Sequence, residues 1–509
     1  MTFPGCRDTV RCVPDLPMHA LPNPPRALLG LLLCLSAGIA HAQGLTDCRL
    51  AGLPHGIQCG VVQRALDPAR PDGAKIAVHY VLVPAMARRK LPDPVFLIPG
   101  GPGQSAIDLA PQVMPLFGRL NNRRDIVFVD QRGTGRSAPL DCPEARRETL
   151  ADQADVERQM RLLARCRTEL LQRPHLRAPG ALGLFTTTIA MQDLDAVRAQ
   201  LGADRIDLVG ISYGTRAVLE YMRQFPDAVR RSVLDSVAPP DMVLPASFST
   251  DGQAALDALL AACEHEPECT RAYPRLRADW AALLASLPKP VVAPQPLSGV
   301  PERVTLTRDM VLGAVRGALY NPAIAAALPA AITDAAAGRY EALTGIGSLL
   351  GSRRGLRLAM GMHFSVVCAE DAPRLDQATD APGADFGDSQ AQLYRRVCAD
   401  WPRGAVPPAF YSIPPSATPT LLLSGGLDPA TPPRHGARVA KALGAAARQV
   451  VVPNAGHGVL GIGCARDVLF RFIDAADGAA ATAVDAGCLT RIPRPGVFRP
   501  IAVDPGDSK

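Results

Sequence analysis

The sequence contains no Cys-x-x-Cys pair, and its 9 histidines are scattered. A zinc site needs closely spaced nitrogen and sulfur ligands, so a metal of that kind is excluded and no cofactor is implied. Long basic runs and basic stretches interleaved with aromatics are also missing, although Lys+Arg 54 against Asp+Glu 48 leave a formal charge of +6. Nucleic acid is therefore excluded as a partner. No Gly-Lys-Ser/Thr follows the glycine-rich segments, which removes a phosphate loop. No apolar run reaches the roughly 20 residues that span a bilayer. With 48% hydrophobic and 20% charged residues over 509 positions, the chain can bury a large core as one domain with an insertion or as two to three domains.

The start reads as an address label. Arg26 precedes the apolar run Ala27–Ala40, which ends in the small-x-small pattern Ala40-His41-Ala42, so residues 1–42 are expected to be a signal peptide cleaved after Ala42. Residues 1–17, with Cys6, Cys12 and several prolines, do not resemble the start of such a leader, and Met18 is the better initiator. Lipidation at Cys34 is disfavoured by the large Leu33 before it. An exported protein, periplasmic or extracellular, is expected, with no membrane anchor after cleavage. Of 13 cysteines the leader takes three, and the remaining ten fall in close couples. Cys48 with Cys59, Cys142 with Cys166, Cys263 with Cys269, Cys368 with Cys398 and Cys464 with Cys488 are expected to form five local disulfides in an oxidising compartment.

The centre of the chain's organisation is Ile206 to Arg216, where an apolar strand enters Gly210-Ile211-Ser212-Tyr213-Gly214 and leaves as a helical pattern. This is the strand, turn and helix of a nucleophile elbow, with Ser212 exposed at the tip. Upstream, a strand at 93–98 runs into Gly100-Gly101-Pro102-Gly103. A glycine loop directly after a buried strand can present amides to a developing oxyanion, so the NH groups of Gly101 and Tyr213 are the expected donors. Strand 125–130 ends in Gln131-Arg132-Gly133-Thr134-Gly135-Arg136-Ser137, most of which is expected to fix loop geometry. Strand, loop, helix, strand is the alternation of a mostly parallel sheet.

After a strand at 232–236 the sheet pattern stops, and residues 241–410 read as mainly helical, a cap over the C-terminal edge of the sheet. Glu370 and Asp371 beside Cys368 could meet a cationic group of a substrate. The sheet returns at 420–424, followed by Asp428 on a loop, and a last strand at 449–453 is followed by His457 between two glycines. An acid and then a histidine on loops past strand ends complete the order Ser, Asp, His. His435, close behind the acid loop, is the main competing histidine. The expected division is 43–240 and 411–509 for the sheet domain and 241–410 for the cap. In the expected chemistry Ser212 attacks a carbonyl carbon, His457 takes its proton, Asp428 orients the imidazole, and water releases the acyl-enzyme.

Pro99-Gly-Gly-Pro-Gly-Gln-Ser105, Asp130-Gln-Arg-Gly-Thr-Gly-Arg-Ser137, Gly210-Ile-Ser-Tyr-Gly-Thr215, Gly426-Leu-Asp-Pro-Ala-Thr-Pro432 and Gly456-His-Gly458 together resemble the secreted tripeptidyl aminopeptidase branch of the prolyl aminopeptidase family of α/β-hydrolases. The likeness spans roughly Lys75 to Pro495. It implies an α/β-hydrolase fold and a serine exopeptidase acting on peptide N-termini, with cap carboxylates gripping the free amine and Glu370 as the candidate. Pro99 stands where prolyl aminopeptidases have His, which favours the tripeptidyl branch. A carboxylesterase or lipase with the same three residues is the alternative, and a silent binding protein on the same scaffold is the non-enzyme reading.

Overall fold

Most sheet strands are apolar in runs rather than in alternation, as strands buried on both faces must be. The computed structural model describes residues 44–142, 149–296, 298–351 and 357–499. The expected leader, 1–42 with its possible start at Met18, lies outside the described residues.

Nine strands form one sheet: β1 (Thr46–Cys48), β2 (Ile57–Ala65), β3 (Lys75–Val83), β4 (Val95–Ile98), β5 (Ile126–Val129), β6 (Ile206–Ile211), β7 (Val229–Asp235), β10 (Thr420–Gly425) and β11 (Ala447–Val452). A separate hairpin pairs β8 (Lys289–Pro294) with β9 (Pro301–Leu306). The sheet order is β1-β2-β3-β5-β4-β6-β7-β10-β11. The first three pairings are antiparallel and the rest parallel. Alternate side chains feed two cores: Phe96, Ile98, Val127 and Leu208 lie in one, Val95, Leu97, Phe128, Val209 and Leu423 in the other. Helices cover both faces, and this is the α/β-hydrolase fold.

The parallel strands all end on one edge of the sheet, where open α/β sheets bind ligands. Between β7 and β10 the chain is mainly helical, as expected, and has its own apolar cluster around Leu256, Trp280, Val315 and Ile332. The hairpin β8–β9 inside it was not expected, nor were β1 and β2. β7 and β11 begin at Val229 and Ala447, earlier than expected. All five expected cysteine couples are bonded. Among the described residues, no helix is long and apolar enough to cross a membrane.

Candidate active site

The elbow forms because β6 must turn into the helix Tyr213–Gln224 with almost no room. A Cβ on Gly214 would lie 2.0 Å from the Ile98 carbonyl oxygen, and one on Gly210 2.6 Å from the Gly214 oxygen. Glycine is therefore required at both positions. Ser212 sits between them at φ 57°, ψ −124°, a backbone region that costs a side-chain-bearing residue on the order of 1–3 kcal/mol and persists only where its surroundings over-determine it. Here the Ser212 amide donates to the Asp235 carbonyl (2.8 Å), and its own carbonyl accepts from the Thr215 amide (2.9 Å) and hydroxyl (2.6 Å).

Asp428 and His457 come from loops after β10 and β11. The imidazole Nδ1 lies 3.0 and 2.9 Å from the two carboxylate oxygens. A carboxylate can only accept, so Nδ1 carries the proton and Nε2 is left as the basic nitrogen. The Ala430 and Thr431 amides and the Thr431 hydroxyl also donate to Asp428, at 2.8, 2.9 and 2.8 Å. Burial alone would raise the Asp428 pKa, but the His457 charge and hydrogen bond, with these amides, hold it down at about 2. Burial pulls the other way on His457, and the Asp428 carboxylate overcomes it, so the imidazole stands above its ordinary value.

Among the described residues no hydrogen bond joins Ser212 Oγ to His457 Nε2. The two loops are tied instead through the tip of β7. The Asp235 carboxylate accepts from the Val459 (2.8 Å) and Leu460 (2.9 Å) amides, and the Ser236 hydroxyl accepts from the Gly458 amide at 2.8 Å. One strand end thus holds the serine from its backbone and the histidine loop from its side chains. Asp235 and Ser236 were not singled out from the sequence, although a carboxylate closing a buried apolar strand was the available signal.

The glycine loop after β4 brings Gly100 against Ser212, whose Cβ would be 3.1 Å from a Cβ added there. Ser105 caps the following helix and donates to Asp130 at 2.6 Å, while Asp130 also accepts from the Ile107 and Arg136 amides. Among the described residues, neither the Gly101 nor the Tyr213 amide donates to a protein acceptor. From the cap, His363 Nδ1 donates to the Pro102 carbonyl (3.3 Å) and its Nε2 accepts from Tyr394 (2.8 Å). Burial lowers the His363 pKa to about 4, so this histidine is neutral. Arg132 of the next loop is buried and bonded to Asp193 and to the Leu66 and Leu184 carbonyls, the structural role expected of that loop.

Glu370 is corrected. It was expected to meet a substrate amine, but its side chain is 0% exposed. Its two oxygens accept from the Thr187 amide (2.7 Å) and hydroxyl (3.0 Å), and that hydroxyl also bonds the Tyr213 hydroxyl at 2.7 Å. Arg216, on the elbow helix, grips Asp371 through both terminal nitrogens at 3.0 and 3.1 Å. Burial pushes the Glu370 pKa up to about 7. The pair lies beneath the elbow as part of a buried network, because every residue of the helix from Gly361 to Glu370 is buried and no face is left for solvent or substrate. His435 is likewise buried, with Nε2 on Asp251 at 2.8 Å, and takes no part in the site. Among the described residues no group of three or more His, Cys, Asp or Glu is arranged to hold a metal ion.

Two family models match the chain: alpha/beta hydrolase fold over residues 93–261 and TAP-like protein over 384–481. Serine protease Hip1 of Mycobacterium tuberculosis is 28% identical over 444 residues, covering 78% of this chain and 82% of that protein. Carboxylesterase B of the same species is 28% identical over 439 residues, covering 76% and 78%. Tripeptidyl aminopeptidase of Streptomyces lividans is 34% identical over 199 residues, covering 37% of this chain and 36% of that protein.

Proposed function

We propose, from the premise that this chain is an α/β-hydrolase-fold serine hydrolase with peptidases among its relatives, that it is an exported exopeptidase releasing short pieces from peptide N-termini. In this reading Ser212 is the nucleophile, His457 the general base and then the general acid, and Asp428 the group that fixes the tautomer and stabilises the imidazolium. The Gly101 and Tyr213 amides receive the oxyanion. The acyl-enzyme on Ser212 is released by water activated at His457.

The observation that carries the reading is the Asp428–His457 pair, braced through Asp235 against the strained backbone of Ser212. Two free amides beside that serine add the second requirement of acyl transfer. Peptide cleavage is supported by the likeness to the serine protease Hip1 and to the Streptomyces tripeptidyl aminopeptidase, and export by five disulfides. Glu370 supplies no amine grip, so recognition of the N-terminus falls to other groups. A peptide library assayed free and N-acetylated tests the claim: loss of cleavage on acetylation is expected, and indifference to it would overturn the exopeptidase reading. The likeness to carboxylesterase B favours one second reading, ester hydrolysis, which much faster turnover of short acyl esters than of tripeptide anilides would establish.

A further inference from the structure

The cap contributes more to the site than cover. Tyr320, just after the helix Arg308–Leu319, accepts the His457 amide on its carbonyl at 2.9 Å and lays its ring 4.8 Å from the imidazole. One turn back on that helix is Arg316. Its guanidinium lies 4.2 Å from the centre of the Phe248 ring and 5.5 Å from that of Tyr320, and it donates to the Tyr320 hydroxyl at 3.2 Å. Among the described residues it has no carboxylate partner, and its Nε is buried without a hydrogen bond. A guanidinium held between aromatic rings with donors to spare is a site for a planar anion.

Arg316 heads a cleft of about 280 Å³ walled by Phe248, Leu312, Phe386 and Leu393. The other charged groups lining it are engaged: Arg396 bonds Glu157 (2.9 Å), and Asp309 accepts from Ser389 (2.8 Å). Asp309 also sits seven residues before Arg316, about 10 Å away along the helix axis, so it faces the far end of the cleft. Its Arg316 end is linked to the imidazole through Tyr320, whose ring meets both groups; because that imidazole must hand its proton to the departing group, the leaving half of the substrate is placed toward this side.

We propose that this cleft is a leaving-group subsite in which Arg316 receives a carboxylate of the departing fragment, either its C-terminus or an acidic side chain. The assignment rests on His457 being the proton donor to the leaving group. Phe248, Leu312, Phe386 and Leu393 give the cleft an apolar part beside the guanidinium, and Ser249, Gln390 and Gln392 give it a polar one.

The test uses the mature full-length chain and N-terminally free peptides matched in pairs: C-terminal carboxylate against amide, and Glu against Gln in the departing fragment. Charge-assisted pairing predicts kcat/KM higher by about tenfold or more for the carboxylate member of at least one pair, chiefly through KM. The pair that discriminates identifies the source of the carboxylate. In Arg316→Met the ratio falls to near one, and Arg316→Lys keeps part of it. Because each ratio is taken within one protein preparation, loss of folded material does not affect it. Ratios within twofold for both pairs in the native enzyme, or a native ratio surviving in Arg316→Met, overturn the proposal. Should no peptide be cut, the exopeptidase reading fails, and the same comparison is made between acetate esters of phenol and of 4-hydroxybenzoate. There a preference for the carboxylated leaving group that Arg316→Met abolishes sustains the subsite, and its absence removes it.

Discussion

Asp235→Asn isolates the brace between the serine and the histidine. The substitution keeps the shape of the side chain and leaves untouched the backbone carbonyl that accepts from Ser212. It converts one of the bonds to Val459 and Leu460 into a neutral hydrogen bond and turns the other into two donors facing each other. Hydrogen bonds to a charged acceptor contribute about 1.5–3 kcal/mol, and a buried amide left without an acceptor costs a similar amount, so the loss should be about 2–4 kcal/mol. In a chain of this size that lowers the melting temperature by only a few degrees. The larger effect is on geometry: freeing the loop two residues beyond His457 allows the imidazole to move by about 1 Å, enough to cost on the order of 10² in rate. The assay is kcat/KM on a short acyl ester at 25 °C beside a thermal melt. A melting temperature that falls while kcat/KM stays within twofold of native would refute the reasoning, since Asp235 would then support the fold without positioning the base.

Ser212→Ala should lower turnover by a factor on the order of 10⁶ and abolish labelling by a fluorophosphonate; a loss under tenfold means another nucleophile. Because His457 is held above its ordinary 6.5 and is proposed as the neutral base, kcat/KM should fall with decreasing pH through a midpoint above that value. Asp428→Asn should move the midpoint down and cut kcat by on the order of 10⁴, and an unmoved midpoint contradicts the pairing. Asp428 is depressed from 3.8 to about 2, so the stability it contributes is complete above its unfolded value and is lost as pH falls through the folded one; acid unfolding of Asp428→Asn should show less of this loss. Replacing Cys368 and Cys398 together by Ala opens a loop with a sequence separation of 30, and should cost about 3–4 kcal/mol by denaturant titration.

The parallel half of the sheet was legible because burial on two faces leaves uninterrupted apolar runs such as Val95–Ile98 and Ile126–Val129. Ser212, Asp428 and His457 were legible as polar residues on glycine-rich loops where such runs stop. β2 was not, since only Ile57 and Gly60 of its nine residues are buried and its pattern is irregular. The β8–β9 hairpin, at the surface of a helical region, carries as little burial signal. Glu370 and Asp371 misled for a different reason. A charged pair beside a cysteine reads as surface, and its partners Thr187 and Arg216 are 183 and 155 residues away, so nothing local announces that the pair is buried and satisfied. Tyr320 reaches the histidine, with Arg316 behind it, through a tertiary contact that leaves no trace in spacing.

The excursion that follows β7 departs from one strand and returns on its immediate neighbour, Asp235 lying opposite Leu423. Such a doorway would let evolution graft a new roof onto an old floor, altering diet without disturbing the hearth. Here the roof also carries a rafter: the carbonyl of Tyr320 props the amide of His457. Exchanging this lid for another would remove that support from the loop carrying His457, so roof and histidine loop are not independent parts.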